Sequence, residues 1–501
     1  LRIIATARER LHLRGEQRYQ VAPLEQAAAV TLFGECAAAG EPDFAVTSAN
    51  RPAVEAICRA LDCLPLAIEL CAAHVSVLDP AALLARLHDR RLDMLRNGPG
   101  DLPLRHHTLA NAIHRSYVLL TPDEQNLLNR LAIFGGGFDA GAVQHLGFGA
   151  AALRALVSKH LVRRTTPNDA PPRYGLLETI REYALDRLAL AGDEAGARRQ
   201  HARYFLQLAE TIGGTPAVHG AIDLERLAIE FDNLRAALRH WIDAGANEAV
   251  RLAAALRPFW YAKGHLREGQ AWIAQALAAD STLCAARGYA LLSAGQLAHN
   301  MGKNGDALPS LVQAEQVFAA LDDARGLAAV LNELAWVHFD THDHAAAIAA
   351  FESCIARVRQ FDDVAWLAEL LSSTAMVLGY TDRSDPRIRA YFSQASALHT
   401  MTANPSGRAH ALMQLAIIEG LEGAYARASA LAEEAVDLLT PNALPRDLAW
   451  AYEVAGETRW FCGELDGAEE AYCRALDLFE ELGVREGIML AHHHLAQIAR
   501  R

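Results

Sequence analysis

The chain has 501 residues, 52% of them hydrophobic, with 47 Lys+Arg against 60 Asp+Glu for a formal charge of −13. That length exceeds what one core serves and predicts three or four domains; the apolar share excludes a disordered chain. The charge is uneven: residues 1–200 carry 23 Lys+Arg and 22 Asp+Glu, residues 201–501 carry 24 and 38. The acidic C-terminal part is therefore unsuited to nucleic acid, while local basic patches stay open in the N-terminal part. The 8 cysteines are scattered with no C-x-x-C pair, which predicts reduced thiols and a cytoplasmic setting. No uncharged apolar run reaches spanning length, the best being Cys63 to Leu78 with Glu69 and His74 inside it, so no membrane partner is expected.

The chain starts at Leu1, in what reads as a strand under way, and is expected to be a fragment of a longer protein. The run from Arg2 to Glu9 is apolar and then turns polar, as a buried parallel strand does where it delivers side chains to a site. Thr6 and Arg8 could meet a phosphate there, Arg8 as a forked donor; a strand ending in a surface arginine has the same pattern. Amphipathic spacing through Val54, Ile57 and Leu61 predicts helix, and Cys63–Leu70 a further helix with Pro65 in its first turn. Ala81 to Leu95 is an arginine-decorated helix, and 98–103 a linker. Helices are predicted over 109–120, 122–134 (capped by Thr121) and 150–159. Gly135-Gly136-Gly137 is a structural turn, since it lacks the Lys-Ser/Thr of a phosphate loop. Leu161–Arg164 and Tyr174–Leu177 form a hairpin, and three helices followed by such a wing describe a winged-helix domain. At Arg173–Ala184, RYGLLETIREYA, strand gives way to helix.

After connecting helices over 185–245, a period sets in. Turn pairs at Gly264, Gly305, His342, Ser384, Gly423 and Gly463 are spaced by 41, 37, 42, 39 and 40 residues. Ala276, Val317, Cys354, Ser396, Ala435 and Ala475 mark the close-packing face of the second helices; Ala298, Ala335, Ala416 and Gly456 mark the first helices. This looks like a tetratricopeptide (TPR) array. Arg257-Pro258 spoils the first unit and Arg389 the fourth; Ile488–Arg501 reads as the first helix of a further unit. Such a stack presents a concave groove. By repeat register Asn332, Trp336 and Phe339 face it in one unit, and Glu453, Glu457 and Trp460 in another, as a ligand groove for a peptide, protein or small ligand. Packing between repeats would use the same residues. His492-His493-His494 cannot ligate one metal, because adjacent helical residues point about 100° apart.

The ATARE strand, LPLAIEL, RHHTLANAIHRSYVLLTPDEQ, LAIFGGGF and RYGLLETIREYA together resemble bacterial STAND regulators, the signal-transduction NTPases with an NB-ARC-like core, such as the AfsR-like and LuxR-type ATPase regulators. The resemblance covers residues 1 to about 245, and helical repeats are usual after it. It implies a predominantly α fold: 1–24 as the remnant edge of an α/β NTPase core, 25–100 a helical domain, 101–195 the winged helix, 196–245 connecting helices and 246–501 an α-α superhelical TPR array. It also implies that Arg8 is a sensor arginine and that Pro65 sits by the adenine. Where relatives place a phosphate-touching histidine, this chain has Leu177, whose side chain cannot hydrogen-bond a phosphate. No G-x-x-x-x-G-K-[ST] occurs, so no ATP turnover is expected of this chain; ATP or ADP with Mg is implied for the parent. The expected function is the sensor portion of a STAND-type regulator, its array binding a partner or ligand and its winged helix relaying to a nucleotide switch. The alternative is a free-standing TPR scaffold. Self-association is allowed by such an array, and DNA binding is assigned to a domain outside this chain.

Overall fold

The computed structural model describes residues 17, 19, 21–89, 109–166, 171–213, 223–440 and 445–500. The expected Arg2–Glu9 strand, with Thr6 and Arg8, and the linker at 98–103 lie outside those residues. The chain is predominantly α-helical, and among the described residues the only sheet is a two-stranded antiparallel one. It divides into two compact units: the described residues up to 212 together with 223–249, and those from 250 onward.

The first unit opens with α1 (Gln26–Gly40), α2 (Arg51–Ala60), α3 (Pro65–Ala72) and α4 (Pro80–Asp89). They close over Phe33, Val54, Ile57, Ile68 and Leu83, all fully buried. Pro65 takes the first position of α3, where a missing N–H leaves no helical bond unmade. The winged helix follows as α5 (Leu109–Val118), α6 (Pro122–Leu131), α7 (Ala140–His145) and α8 (Ala150–Ser158), then β1 (Arg163–Arg164) and β2 (Tyr174–Gly175). Thr121 and Glu124 form a reciprocal capping box on α6, each side chain accepting from the other's amide at 3.3 and 2.9 Å. α7 is an addition to the sequence expectation: six residues are too few for a visible stripe, and the helix exists because Asp139 accepts from the Ala142 amide at 2.8 Å. β1 and β2 pair with Arg163 opposite Gly175 and Arg164 opposite Tyr174.

α9 (Glu178–Leu190), α10 (Glu194–Gly213), α11 (Leu224–Ile229) and α12 (Phe231–Asp243) complete the unit. A polar knot ties α12 to the glycine turn and β2. Arg173 forms an ion pair with Glu230 and donates to the Gly136 carbonyl at 2.8 Å. Asn233 donates to the Gly137 carbonyl at 2.9 Å and to Glu230 at 2.8 Å. Gly137 has φ +76°, and a side chain there would sit 2.7 Å from the Tyr174 carbonyl oxygen, so only glycine serves. The turn is structural, as its missing lysine implied.

α13 (Asn247–Ala255) leads into the second unit, which continues with α14 (Arg257–Ala262), α15 (Leu266–Ala279), α16 (Ala285–Asn300), α17 (Asn304–Ala320), α18 (Ala324–Asp340), α19 (His344–Val358), α20 (Val364–Thr381), α21 (Pro386–Met401), α22 (Pro405–Leu421), α23 (Tyr425–Leu439), α24 (Pro445–Cys462), α25 (Leu465–Leu482) and α26 (Arg485–Ile498). These are helix hairpins packed each on the next, the TPR-like arrangement that the period foretold. α13 and α14 break apart because Pro258 has no N–H for the carbonyl four residues earlier. In each second helix a buried column recurs at i, i+4, i+7 and i+11: Ala307, Leu311, Ala314, Phe318; Ala347, Phe351, Cys354, Val358; Ile388, Phe392, Ala395, His399; Ala428, Ala432, Ala435, Leu439; Ala468, Tyr472, Ala475, Phe479. The column corrects two register positions: the small residue is Ala314 rather than Val317, and Ala395 rather than Ser396. Where the column ends in a ring, the next helix meets it with glycine. A Cβ at Gly326, Gly407 or Gly487 would lie 2.2, 2.5 and 2.5 Å from Phe318, His399 and Phe479. α20 is long and apolar enough by length and composition to cross a membrane, yet its Leu370, Leu371, Ala375 and Leu378 are buried in the core shared with its neighbours.

Candidate ligand-binding site

The first helices of three successive hairpins, α22, α24 and α26, line a cavity of about 800 Å³. On α24, Trp450, Glu453, Val454 and Glu457 recur at intervals of three and four, which puts them on one helical face, and all four line the cavity. Met413 and Ile417 of α22 stand 40 residues earlier, in the same places one repeat back, and His494 of α26 stands 41 residues after Glu453. The repeat thus stacks methionine, glutamate and histidine in register, and isoleucine beside Glu457. Leu439 and Leu490 add apolar wall; Asp447 and His410 add polar groups. Behind α24, Gly456 lets the buried Tyr472 ring approach, since a Cβ would meet it at 2.7 Å.

Glu453 is 4% exposed. Its Oε1 accepts from His494 Nδ1 at 2.7 Å; its Oε2 is buried and has no hydrogen-bond partner. The bond to Glu453 raises the His494 pKa above its ordinary value against the desolvation that opposes it, which favours an imidazolium–carboxylate pair. Burial, reinforced by the Glu453 charge, raises the Glu457 carboxyl, with His494 pulling the other way. Two other buried glutamates of the array find partners on neighbouring helices, and Glu333 is satisfied at both oxygens. Glu333 accepts from His299 Nδ1 at 2.7 Å through one oxygen and from Gln296 at 3.1 Å through the other. Glu419 takes Arg389 at 2.6 Å, which accounts for an arginine where the repeat pattern calls for alanine.

The other residues singled out in the sequence are placed differently. Asn332, Trp336 and Phe339 are half-buried on α18. The Trp336 ring meets Phe351 edge-on at 5.4 Å and Phe339 at 6.0 Å, and Phe339 meets Tyr380 at 5.2 Å; both pack against the array's core, Trp336 within its own hairpin and Phe339 against the next. Trp460 contacts Phe461 at 4.9 Å, away from the cavity lining. Sequence reasoning considered His494 only as a metal ligand, and among the described residues no cluster suits a metal; its one-repeat offset from Glu453 was the signal that could have paired them.

In the first unit, Arg8 lies outside the described residues, and Pro65 is exposed in the first turn of α3. Leu177 is the N-cap of α9 and supplies no side-chain acceptor. Asp62, 116 residues away, does so instead: its Oδ2 accepts from the Glu178 amide at 2.7 Å. Asp62 and Cys63 hold φ of 54° and 51°, a left-handed pair that L-residues rarely adopt, and the resulting loop aims the carboxylate at α9. Pro65 has neither an N–H nor a side-chain donor, and the Leu177 side chain has no donor for a phosphate. The helix at the recognition position, α8, has the sequence AAALRALVS, with Arg154 its sole basic residue; Lys159 just beyond it is paired with Glu124 at 2.8 Å.

Residues 120–189 match the winged helix-turn-helix domain family. A Mycobacterium tuberculosis protein named as an HTH-type transcriptional regulator is 39% identical over 285 residues, which is 54% of this chain and 32% of that relative. An uncharacterised M. tuberculosis protein is 33% identical over 217 residues, 41% of this chain and 55% of the relative. The chain thus spans well under two thirds of either. Among solved structures, a STAND protein with a tetratricopeptide repeat sensor from Pyrococcus horikoshii aligns over 95% of this chain and 72% of its own, at 12% identity and TM-score 0.45. Residues 120–189 form a winged helix-turn-helix domain, in a chain homologous over about half its length to mycobacterial proteins named as HTH-type transcriptional regulators.

Proposed function

We propose that the chain is the sensor-and-relay portion of a STAND-type transcriptional regulator, acting in the cytoplasm, in which the TPR array takes a ligand or partner and the winged helix passes the signal to a nucleotide switch. The observation that carries this is the cavity between α22, α24 and α26, walled by apolar side chains around a few convergent polar ones, as small-molecule sites are. The mycobacterial relatives' names support the regulatory setting. ATP or ADP with Mg would belong to the switch of the longer protein, and the 501-residue chain alone is expected to show no ATP turnover.

The winged helix in this reading is a packing module. A DNA-reading helix needs several side chains able to reach base edges and phosphates, and α8 offers alanines with one arginine. DNA recognition is therefore assigned to another part of the longer protein. Native mass spectrometry of the chain after incubation with fractionated bacterial metabolites tests the sensor reading. A bound mass that is lost in Ile417→Trp, which fills the cavity, supports it; the same mass retained in that variant, or none from any fraction, overturns it. Salt-sensitive binding of duplex DNA by the chain in a gel-shift assay overturns the packing role of the winged helix.

A further inference from the structure

We propose that the cavity between α22, α24 and α26 binds an organic cation, an ammonium carried on an aromatic or aliphatic body, with Glu453 Oε2 as its principal acceptor. This rests on the ligand-sensor reading above and names the ligand's chemistry. A buried carboxylate oxygen left without a partner is costly, and the array completes such groups elsewhere: both oxygens of Glu333 are occupied. Glu453 has the same neighbours in kind, a histidine from one adjacent helix, yet its second oxygen is buried without a partner, on a residue that lines the cavity. A protonated amine supplies up to three donors and the missing charge.

The groups that face this oxygen favour the same sign. Glu457 lies one turn on along α24, and Asp447 one further carboxylate on the lining. Against them stand His494, already engaged with Glu453, and His410 on the opposite helix; Tyr472 stacks behind His494 at 4.8 Å. Neither lysine nor arginine lines the cavity. An anion would meet three carboxylates in a site of low polarity, a juxtaposition of like charges that disfavours it. The remaining wall fixes the rest of the ligand: Met413, Ile417, Trp450 and Leu490 form an apolar slot for a ring or alkyl chain, with Trp450 placed for a cation–π contact. A volume of about 800 Å³ holds a molecule of drug-like size.

Isothermal titration of the 501-residue chain with tryptamine, with the uncharged tryptophol and with the anionic indole-3-propionate tests the assignment. The amine is expected to bind, and the alcohol and carboxylate at least tenfold more weakly. Glu453→Gln should weaken the amine at least tenfold, with circular dichroism confirming that the array is folded. His494→Gln, which removes a competing positive charge but keeps a donor for Glu453, should tighten the amine severalfold, whereas a merely structural role would loosen it. Affinity should also rise with pH as Glu457, whose carboxyl burial pushes up, loses its proton and joins Glu453 as a charged acceptor. If the alcohol or the carboxylate binds as well as the amine, and Ile417→Trp abolishes that binding, the cation assignment fails while the sensor reading survives. Amine binding that is untouched by Glu453→Gln also overturns the assignment. No binding by any of the three probes at millimolar concentration counts against the cation assignment alone, since the metabolite screen judges the sensor reading separately.

Discussion

The Arg173–Glu230 knot of the winged-helix unit and the Glu453 site of the repeat array bury charge in opposite ways. Around the glycine turn, Arg173, Glu230 and Asn233 satisfy one another and the carbonyls of Gly136 and Gly137, and the pair is sealed at 16% and 5% side-chain exposure. In the array, Glu453 is as deeply buried but only half satisfied. A buried network is rigid when complete and a liability when incomplete. The knot is therefore scaffold, and the incomplete site is the one at which ligand binding is proposed.

The sharpest way to break this contrast is Arg173→Ala. It strands Glu230 in a buried site, and removing one partner of such a pair costs about 3–5 kcal/mol. The loss is expected in the urea unfolding of the first unit, followed by circular dichroism. Arg173→Met with Glu230→Met should recover most of it, because the desolvation cost then leaves with both charges. A double variant no better than the single one would mean that the arginine acts through its carbonyl contacts instead.

The next effect is set by pH. His299 lies between Glu333 at 2.7 Å and Asp340 at 2.9 Å, and the bond to Glu333 chiefly raises its pKa to about 9 against an ordinary 6.5. The folded value exceeds the unfolded one, so the contribution is fully present below pH 6.5 and is lost as pH rises towards 9. Asp340 is half exposed and screens part of the gain, leaving about 1–3 kcal/mol. The array's melting temperature should fall between pH 6.5 and 9, and His299→Gln should flatten that slope. His494 shifts in the same direction and leaves a smaller residual slope.

The period, the wing and the structural glycine turn were legible because each rests on local chemistry: helical spacing, a turn between extended runs, a missing phosphate-loop lysine. Repeat register put Glu453 and Glu457 on one helical face, and both line the cavity between α22, α24 and α26. What was not legible joins residues that local pattern does not connect. α7 is too short to show a stripe. Val317 and Ser396 are apolar or small, as a close-packing position requires, and Val317 is itself buried; only the fully buried Ala314 and Ala395 keep the column spacing of the other second helices. Trp336 and Phe339 fit the groove register equally well, but Phe351 of the same hairpin and Tyr380 of the next draw them into packing. The cap on α9 reaches across 116 residues, and no spacing rule spans that distance.

That cap yields the smallest and most discriminating prediction, because it lies between the two extremes. Asp62 completes the amides of α9 that Leu177 cannot, yet its own carboxyl pKa is raised, chiefly by burial, with the bonds from Glu178 and Thr179 opposing the rise. The hydrogen bond then stabilises while the charge does not. Asp62→Ala removes the acceptor and is expected to cost about 1 kcal/mol, the usual value for a lost N-cap. Asp62→Asn keeps an acceptor of the same length without the charge and should be within a few tenths of a kcal/mol of the parent chain in the same denaturation experiment. If Asn costs as much as Ala, the carboxylate's charge is what holds α9, through the helix N-terminus or Arg163, and the loop at Asp62–Cys63 is an electrostatic latch rather than a cap.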